Sequence, residues 1–207
     1  MTENQIIEIS RASAESDVTF LGFLVCENKM KKETPAVIQE LNNANINSLM
    51  VTGDNPLTAI SVARECHMIP NNTEVYLFEK ENSKKKMFHL KMIGLVSIDE
   101  SLDYNGFGND NLDDFFKTVE TIKKIEKMCF AVTGESFEFL QGLLMNKIYE
   151  GLIKEFLKKT IVYSRMKPHN KSQLILYLRG ENHFVLMTGG IILFFLGVGT
   201  DIFLFDR

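Results

Sequence analysis

The chain has 207 residues, of which 45% are hydrophobic, enough to bury a core in one large domain or in one domain with an insertion. Its formal net charge is -4, so it lacks the global basic field that is typical of nucleic-acid-binding domains. The cysteines Cys26, Cys66 and Cys129 are far apart and include no CxxC pair, which argues against a disulfide framework or a zinc site and favours a reducing compartment.

Strands and helices are predicted to alternate near the N-terminus. Residues 18–26 are apolar and rich in β-branched and aromatic types, which is typical of a buried strand. The pattern then predicts a helix over 33–44, a strand over 46–51 and a helix over 56–66. This alternation favours a parallel sheet with crossover helices.

The middle of the chain breaks this alternation. Residues 70–125 predict two strands around a charged loop, followed by an acidic, loop-like stretch that becomes partly helical. We expect this region to be an insertion that hangs off the sheet. After it the alternation resumes, with strands predicted over 127–134, 160–166 and 183–189 and helices over 135–147 and 168–180.

The C-terminal residues are apolar over a long stretch. No charge occurs in 184–200, and a membrane-spanning helix needs about 20 apolar residues. The glycines of this stretch and the following Asp201 weaken the prediction of a membrane helix. Two interpretations stay open: a membrane span, and a buried strand followed by an irregular apolar tail.

Three of the predicted strands end in a Thr-Gly pair, at 52–53, 133–134 and 188–189. Because ligands of open parallel sheets bind beyond the carboxyl ends of the strands, we expect these turns to lie along one rim. Glycine lets a phosphate approach the backbone, and the helix that follows offers free N–H groups. In the first turn Asp54 or Asn55 can cap the helix and Pro56 suits its start, which explains these polar residues without any ligand. The chain has neither a GxxxxGK[ST] loop nor a GxGxxG fingerprint.

The segment RMKPHNKSQL at 165–174 is a second candidate. Pro168 begins the predicted helix, and Lys171 falls within its first turn, where the helix dipole disfavours a cation. A solvated lysine accounts for this without a function. If the helix start borders an anion site, Lys171 would reach a phosphate as a mobile point charge, and Arg165 at the end of the preceding strand would join it.

These segments together resemble the phosphorylation domain of a P-type ATPase. The motifs that carry the resemblance occur in the order that the family has: ENKMKKET at 27–34, MVTGDNPLTAISVAR at 50–64, FAVTGESF at 130–137 and YSRMKPHNKSQLI at 163–175. The similarity is strongest to the type V group of polyamine and orphan-cation pumps. It implies a doubly wound parallel α/β sheet of the haloacid-dehalogenase-like type, with a variable insertion and incomplete at both ends.

The resemblance also implies a domain organisation. Residues 1–16 would be the end of a nucleotide-binding domain or a linker, 17–189 a partial phosphorylation domain with its insertion at 70–125, and 190–207 an unmatched apolar tail. The transporting membrane segments would lie outside this chain, which would then be a cytosolic domain of an integral membrane pump of unknown organelle.

The chemistry implied is that of an ATP hydrolase and translocase that uses ATP and Mg²⁺, forms an aspartyl-phosphate and transports a cation or a polyamine. By the resemblance, Thr52 and Gly53 would contact the phosphate, and Asp54 would order the site. Lys171 would neutralise the charge that develops on the transferring phosphoryl group, and Arg165 would face the nucleotide.

Two further residues come from the ENKMK part of the resemblance. Asn28 and Lys31 match a family motif near the nucleotide and near the hinge to the nucleotide-binding domain.

The chain also departs from the family. It contains no DKTG motif, which carries the family's nucleophile, and MTGG at 187–190 stands where MTGDG is expected, with Gly190 in place of an aspartate. We therefore expect no magnesium ligands in this chain and no activity of the isolated chain. Two explanations are a truncated or misassembled gene product with a misread tail, and a real tail with a lost site. The alternative functions are a small haloacid-dehalogenase-like phosphatase and a non-catalytic remnant.

Overall fold

The computed structural model describes residues 10–11, 15–24, 30–80, 87–93, 103–108, 112–122, 124–188 and 201–205. The chain divides into two compact units, 1–30 and 31–207. In the first unit the described residues 18–24 form neither helix nor strand, and their large apolar side chains are exposed. The strand predicted over 18–26 is therefore wrong for 18–24, and 25–26 lie outside the described residues. Apolar composition favours a strand only where a neighbouring strand pairs with it, and 18–24 take no part in the described sheet.

The described residues of the second unit form six helices and eight strands. The helices are α1 (Thr34–Asn43), α2 (Pro56–Glu65), α3 (Leu112–Ile122), α4 (Gly134–Leu144), α5 (Glu150–Lys158) and α6 (Pro168–Gly180). The strands are β1 (Asn47–Val51), β2 (Glu74–Lys80), β3 (Met87–Ile93), β4 (Asp103–Gly108), β5 (Met128–Thr133), β6 (Thr160–Ser164), β7 (Phe184–Thr188) and β8 (Asp201–Phe205).

All eight strands belong to one sheet in the order β4-β3-β2-β5-β6-β1-β8-β7. The neighbours from β2 to β7 along this order run parallel, whereas β3 pairs antiparallel with both β2 and β4. The predicted α/β class with a mostly parallel sheet is therefore confirmed. We predicted that the region 70–125 lies outside the sheet. Instead, its buried strand β2 belongs to the sheet and pairs directly with β5.

Helices cover both faces of this sheet. Tyr76 and Phe78 of β2 belong to one core cluster with residues of α3, α4, α5 and α6, whereas the alternating Val75 and Leu77 are equally buried but lie outside it. On the other side α1 packs against β1, and α2 packs against β5 and β6. Burial on both faces explains why every residue of β5 is buried, and the arrangement is compatible with a doubly wound fold.

The apolar C-terminal region contributes two strands. Residues 184–188 form β7, of which 184–187 are half-buried, and 201–205 form β8, which pairs with β1 on one side and with β7 on the other. Residues 189–200 lie outside the described residues. No helix that the structure describes is both long enough and apolar enough to span a membrane.

Candidate functional site

The turn after β1 is organised by its own polar residues. Thr52 is only 1% exposed, and its Oγ1 accepts a hydrogen bond from the Asp54 N–H at 3.1 Å. Asn55 is the cap of α2, because its Oδ1 accepts from the Leu57 N–H at 2.9 Å, and Pro56 occupies the first helical position. Of the two predicted caps the structure therefore uses Asn55, which leaves the exposed Asp54 carboxylate free of a capping role.

The loop between β6 and α6 is fixed against this turn. The Arg165 N–H donates to the Asp54 carbonyl at 3.0 Å, and the Met166 N–H donates to the Thr52 carbonyl at 2.9 Å. The backbone of Arg165 has a φ of 49°, a left-handed conformation that residues other than glycine rarely adopt. The Arg165 side chain is exposed. The surrounding structure therefore holds Arg165 in a strained conformation directly beside the Thr52–Asp54 turn.

The Thr133–Gly134 turn borders the same loop from its other side. Thr133 caps α4, with its Oγ1 accepting from the Ser136 N–H at 3.4 Å. A Cβ atom at Gly134 would lie 2.6 Å from the Arg165 carbonyl oxygen, so only glycine allows this close approach. At Gly53, by contrast, a Cβ atom would meet only the Met166 carbonyl oxygen, at 4.0 Å.

The three threonines of the Thr-Gly pairs lie at one edge of the sheet but not in one cluster. Thr52, Thr133 and Thr188 all stand at the carboxyl ends of parallel strands, as predicted, while Gly189 is outside the described residues. One strand separates β1 from β5, and one separates β1 from β7. With about 4.8 Å between neighbouring strands, the ends of β1 and β5 are roughly 10 Å apart, and the loop after β6 fills the space between them.

Two of the remaining predicted residues, Lys171 and Lys31, lie at helix starts. Lys171 is half-buried in α6, one turn after Pro168. Lys31 is exposed just before α1, and its carbonyl accepts from the Thr34 N–H at 3.1 Å. Since α1 leads directly into β1 and packs against it, the start of α1 points toward the carboxyl end of β1. Asn28 lies outside the described residues, so the structure does not locate it.

A cavity of about 240 Å³ opens next to the loop after β6. It is lined by the ends of β2 and β5 and by the starts of α4 and α6, with the residues Glu79, Lys80, Thr133, Gly134, Glu135, Glu138, Arg165, Lys167 and Asn170. Lys80 Nζ pairs with Glu135 at 3.1 Å, and Lys91 Nζ pairs with Glu79 at 3.3 Å. Two of the three lining carboxylates therefore have a lysine partner.

The third carboxylate, Glu138, is bound by groups at the start of α6. Its Oε1 accepts from the Asn170 amide at 2.9 Å and lies 3.0 Å from His169 Nε2. These contacts, with the Asn170 hydrogen bond foremost, hold the pKa of Glu138 below its usual range although partial burial opposes this. Sequence reasoning missed Glu138 and Asn170, because no local pattern joins two residues that lie 32 positions apart.

The sequence of the chain is similar to those of several known proteins. The chain is 32% identical over 199 residues to the polyamine-transporting ATPase 13A3 of Homo sapiens, an overlap that covers 91% of this chain and 15% of that protein. The chain is a homologue of the type V P-type ATPases. It is also 32% identical over 188 residues to the probable cation-transporting ATPase 13A4 of Gallus gallus, covering 89% of the chain and 15% of that protein. No protein-family model matches the chain.

This P-type ATPase homologue spans only about 15% of the length of the curated relatives that it matches. The family resemblance that the four motifs predicted is confirmed.

The donors at the sheet edge suit an anion such as phosphate better than a metal ion. A threonine hydroxyl, backbone N–H groups of α2 and the cations Arg165 and Lys171 are hydrogen-bond donors, whereas Mg²⁺ prefers carboxylate and carbonyl oxygens. Among the residues that the structure describes, no group of three or more His, Cys, Asp or Glu residues could hold a metal ion. The donors that the structure describes at this edge therefore fit a phosphate and do not fit Mg²⁺.

A larger cavity, of about 780 Å³, lies at the opposite edge of the sheet. It is lined by the amino ends of β1, β5 and β6 and by the last turn of α5, including Lys158. None of the residues that the resemblance implies lines it. Lys158 is exposed there and offers a matched control for Lys171.

Proposed function

We propose that residues 31–188 supply the phosphoryl-binding part of the phosphorylation domain of a P-type ATPase, a pump that transports a cation or a polyamine. In the complete protein, ATP hydrolysis would be coupled to this transport through an aspartyl-phosphate. This chain contains no DKTG motif, so the aspartate nucleophile would come from another part of that protein. The isolated chain would be inactive. The homology to type V P-type ATPases supports the family, and the geometry of the sheet edge supports the assignment of residues.

The observation that carries this proposal is the joining of the Thr52–Asp54 turn to the loop after β6. Two backbone hydrogen bonds connect them, from Arg165 to the Asp54 carbonyl and from Met166 to the Thr52 carbonyl. Both segments precede helices, so the free N–H groups and the positive dipole ends of α2 and α6 lie at the same edge. An anion placed there would meet donors from both helices.

The packing of the fold does not explain why position 53 of this turn is a glycine. Its φ is not positive, and a Cβ atom would find open space apart from one oxygen at 4.0 Å. A side chain at this position would instead stand where a phosphate approaches the backbone. The absence of a side chain at Gly53 therefore favours a ligand at this turn.

The cations complete the proposed site. Lys171 would place a mobile charge on the phosphoryl oxygens, and Arg165, which follows β6 directly, would face the rest of the nucleotide. Thr52 Oγ1 accepts a bond from Asp54, which does not use the hydroxyl proton, so the same group can donate to a phosphate oxygen. Lys31, at the start of α1, would approach from the nucleotide side.

A titration of the isotope-labelled chain with inorganic phosphate, followed by NMR, tests this proposal. We expect the amide signals of the non-proline residues in 52–57 and 165–171 to shift together along one saturable curve. Lys171→Met should weaken this binding about tenfold, the loss of one charge-assisted contact. The matched variant Lys158→Met, at the opposite edge of the sheet, should leave it unchanged. Shifts that centre on the cavity beside Lys158, or equal effects of both variants, would overturn the proposal.

A further inference from the structure

The side chain of Asn170 is buried, and both its amide oxygen and its amide nitrogen are hydrogen-bonded. The residue is 0% exposed. Its Oδ1 accepts from the Lys167 N–H at 3.2 Å, and its Nδ2 donates to Glu138 Oε1 at 2.9 Å and to the Gly134 carbonyl at 3.4 Å. One amide thus connects the start of α6, the start of α4 and a side chain of α4.

These contacts hold a segment that has charged residues at both ends. Arg165 lies five residues before Asn170, and Lys171 follows it directly. On the β1 side the segment is held by the hydrogen bonds to Thr52 and Asp54, but those bonds come only from Arg165 and Met166. Toward α4, the Asn170 side chain donates to Glu138 and to the Gly134 carbonyl, and His169 contacts Glu138.

We propose that Asn170 is a positioning residue, whose contacts with α4 set where Arg165 and Lys171 present their charges beside the Thr52–Asp54 turn. This inference rests on the proposed function, since it concerns the same phosphoryl site. In this role Asn170 does not itself contact the phosphate. It acts through the backbone of the loop after β6 and through the orientation of the first turn of α6.

A simple helix-capping role does not account for these contacts. The bond from Asn170 Oδ1 to the Lys167 N–H satisfies the capping function, and an aspartate would serve it equally and would favour the helix dipole. The two bonds that Nδ2 donates reach α4 instead. An aspartate at 170 would place its carboxylate against that of Glu138, so the two roles predict opposite effects of Asn170→Asp.

Four variants of the 207-residue chain separate these roles. Asn170→Ala removes the side-chain bonds, and Asn170→Asp keeps the cap but opposes Glu138. The double variant Asn170→Asp with Glu138→Gln restores a bond between the two positions with its donor and acceptor exchanged. Ser172→Ala is the matched control, because its hydroxyl donates only within α6, to the Pro168 carbonyl at 3.3 Å.

Two measurements are made on each variant: amide hydrogen exchange of 165–171, and the affinity for inorganic phosphate by NMR titration. We expect Asn170→Ala and Asn170→Asp to speed exchange in this segment and to weaken phosphate binding about tenfold. The double variant should recover the part of both losses that comes from the Glu138 contact, but not the part from the Gly134 carbonyl, to which an aspartate cannot donate. Ser172→Ala should match the unsubstituted chain. Recovery by the double variant is the signature that a non-specific loss of stability would not give.

The outcomes distinguish this inference from the proposed function. If the unsubstituted chain binds phosphate at the turn but the Asn170 variants bind equally well, the positioning role is overturned and the proposed function stands. If Asn170→Asp exchanges as slowly as the unsubstituted chain, Asn170 is only a cap and the inference is overturned. If no phosphate binds at the turn while exchange follows the expected pattern, the proposed function is overturned, and with it the role of Asn170 toward a phosphate.

Discussion

Replacing Gly134 with alanine should loosen the loop after β6, whereas the same change at Gly53 should not. At position 134 the new Cβ atom would lie 2.6 Å from the Arg165 carbonyl oxygen, 3.3 Å from the carbonyl carbon and 3.4 Å from the Met166 Cα. All three are backbone atoms, so no flexible side chain can move aside. At position 53 the contact is 4.0 Å, which is ordinary van der Waals separation.

The free energy of unfolding follows from these distances. Inserting a methyl group into a packed site costs about 1 to 3 kcal/mol, and the lower entropy of the unfolded alanine chain returns about 0.4 to 1 kcal/mol. Gly134→Ala should therefore lower the free energy of unfolding by roughly 1 to 2 kcal/mol, or the melting temperature by about 2 to 8 °C for a chain of this size. Gly53→Ala should be neutral or stabilising by up to about 1 kcal/mol.

Urea and thermal unfolding followed by circular dichroism measure both variants against the unsubstituted chain. Equal stabilities of Gly134→Ala and the unsubstituted chain would refute the close approach of Gly134 to Arg165. A loss at Gly53 as large as that at Gly134 would refute the view that Gly53 is kept free of a side chain for a ligand. A phosphate titration of Gly53→Ala completes the comparison, since we expect weaker binding in a protein of undiminished stability.

Three further predictions concern activity, acid and thiol chemistry. The purified chain should release no phosphate from ATP above a no-protein control, and release that Lys171→Met abolishes would contradict this. Because the Asn170 hydrogen bond lowers the pKa of Glu138, the ionised carboxylate stabilises the fold above the usual glutamate pKa and this contribution is lost as the pH falls through the lower, folded value. The stability difference between the unsubstituted chain and Glu138→Gln should therefore shrink in urea titrations between about pH 6 and about pH 3. Burial raises the pKa of the Cys129 thiol to about 12, so a thiol reagent at about pH 8 should label it only on unfolding, and mass spectrometry showing rapid labelling of the native chain would disprove this.

The elements that sequence could predict are those whose pattern is set locally. Helices with a proline at or near the start were predicted for α1, α2 and α6 to within about two residues, and helical spacing of apolar residues supported the first two. The helix α5 was missed although its buried residues Ile153, Phe156 and Leu157 have helical spacing, so a signal for it was present. The strand β4 offered none, because its sequence DYNGFG has low strand propensity and is held by pairing with β3.

Some features of the candidate site could likewise be predicted from local sequence patterns, and others could not. The Thr52–Asp54 turn and the position of Arg165 followed from strand and helix boundaries, so their place at the sheet edge was predictable. The contact of Asn170 with Glu138 depends on how α4 and α6 pack, and neither residue belongs to a motif that sequence could reveal. A left-handed Arg165 was equally hidden, since arginine has no preference for that conformation.

The strained Arg165 connects the Thr52–Asp54 turn with the Thr133–Gly134 turn. Its N–H donates to the Asp54 carbonyl, and its own carbonyl oxygen abuts Gly134, so a single residue is held from both sides. A left-handed backbone costs roughly 1 to 3 kcal/mol and persists only where its surroundings enforce it. We expect that releasing either contact allows Arg165 to relax and thereby shifts the other turn. A substitution at Gly134 should therefore be detected in the amide signals at Asp54, about two strands away, and this transmission needs no ligand to be bound.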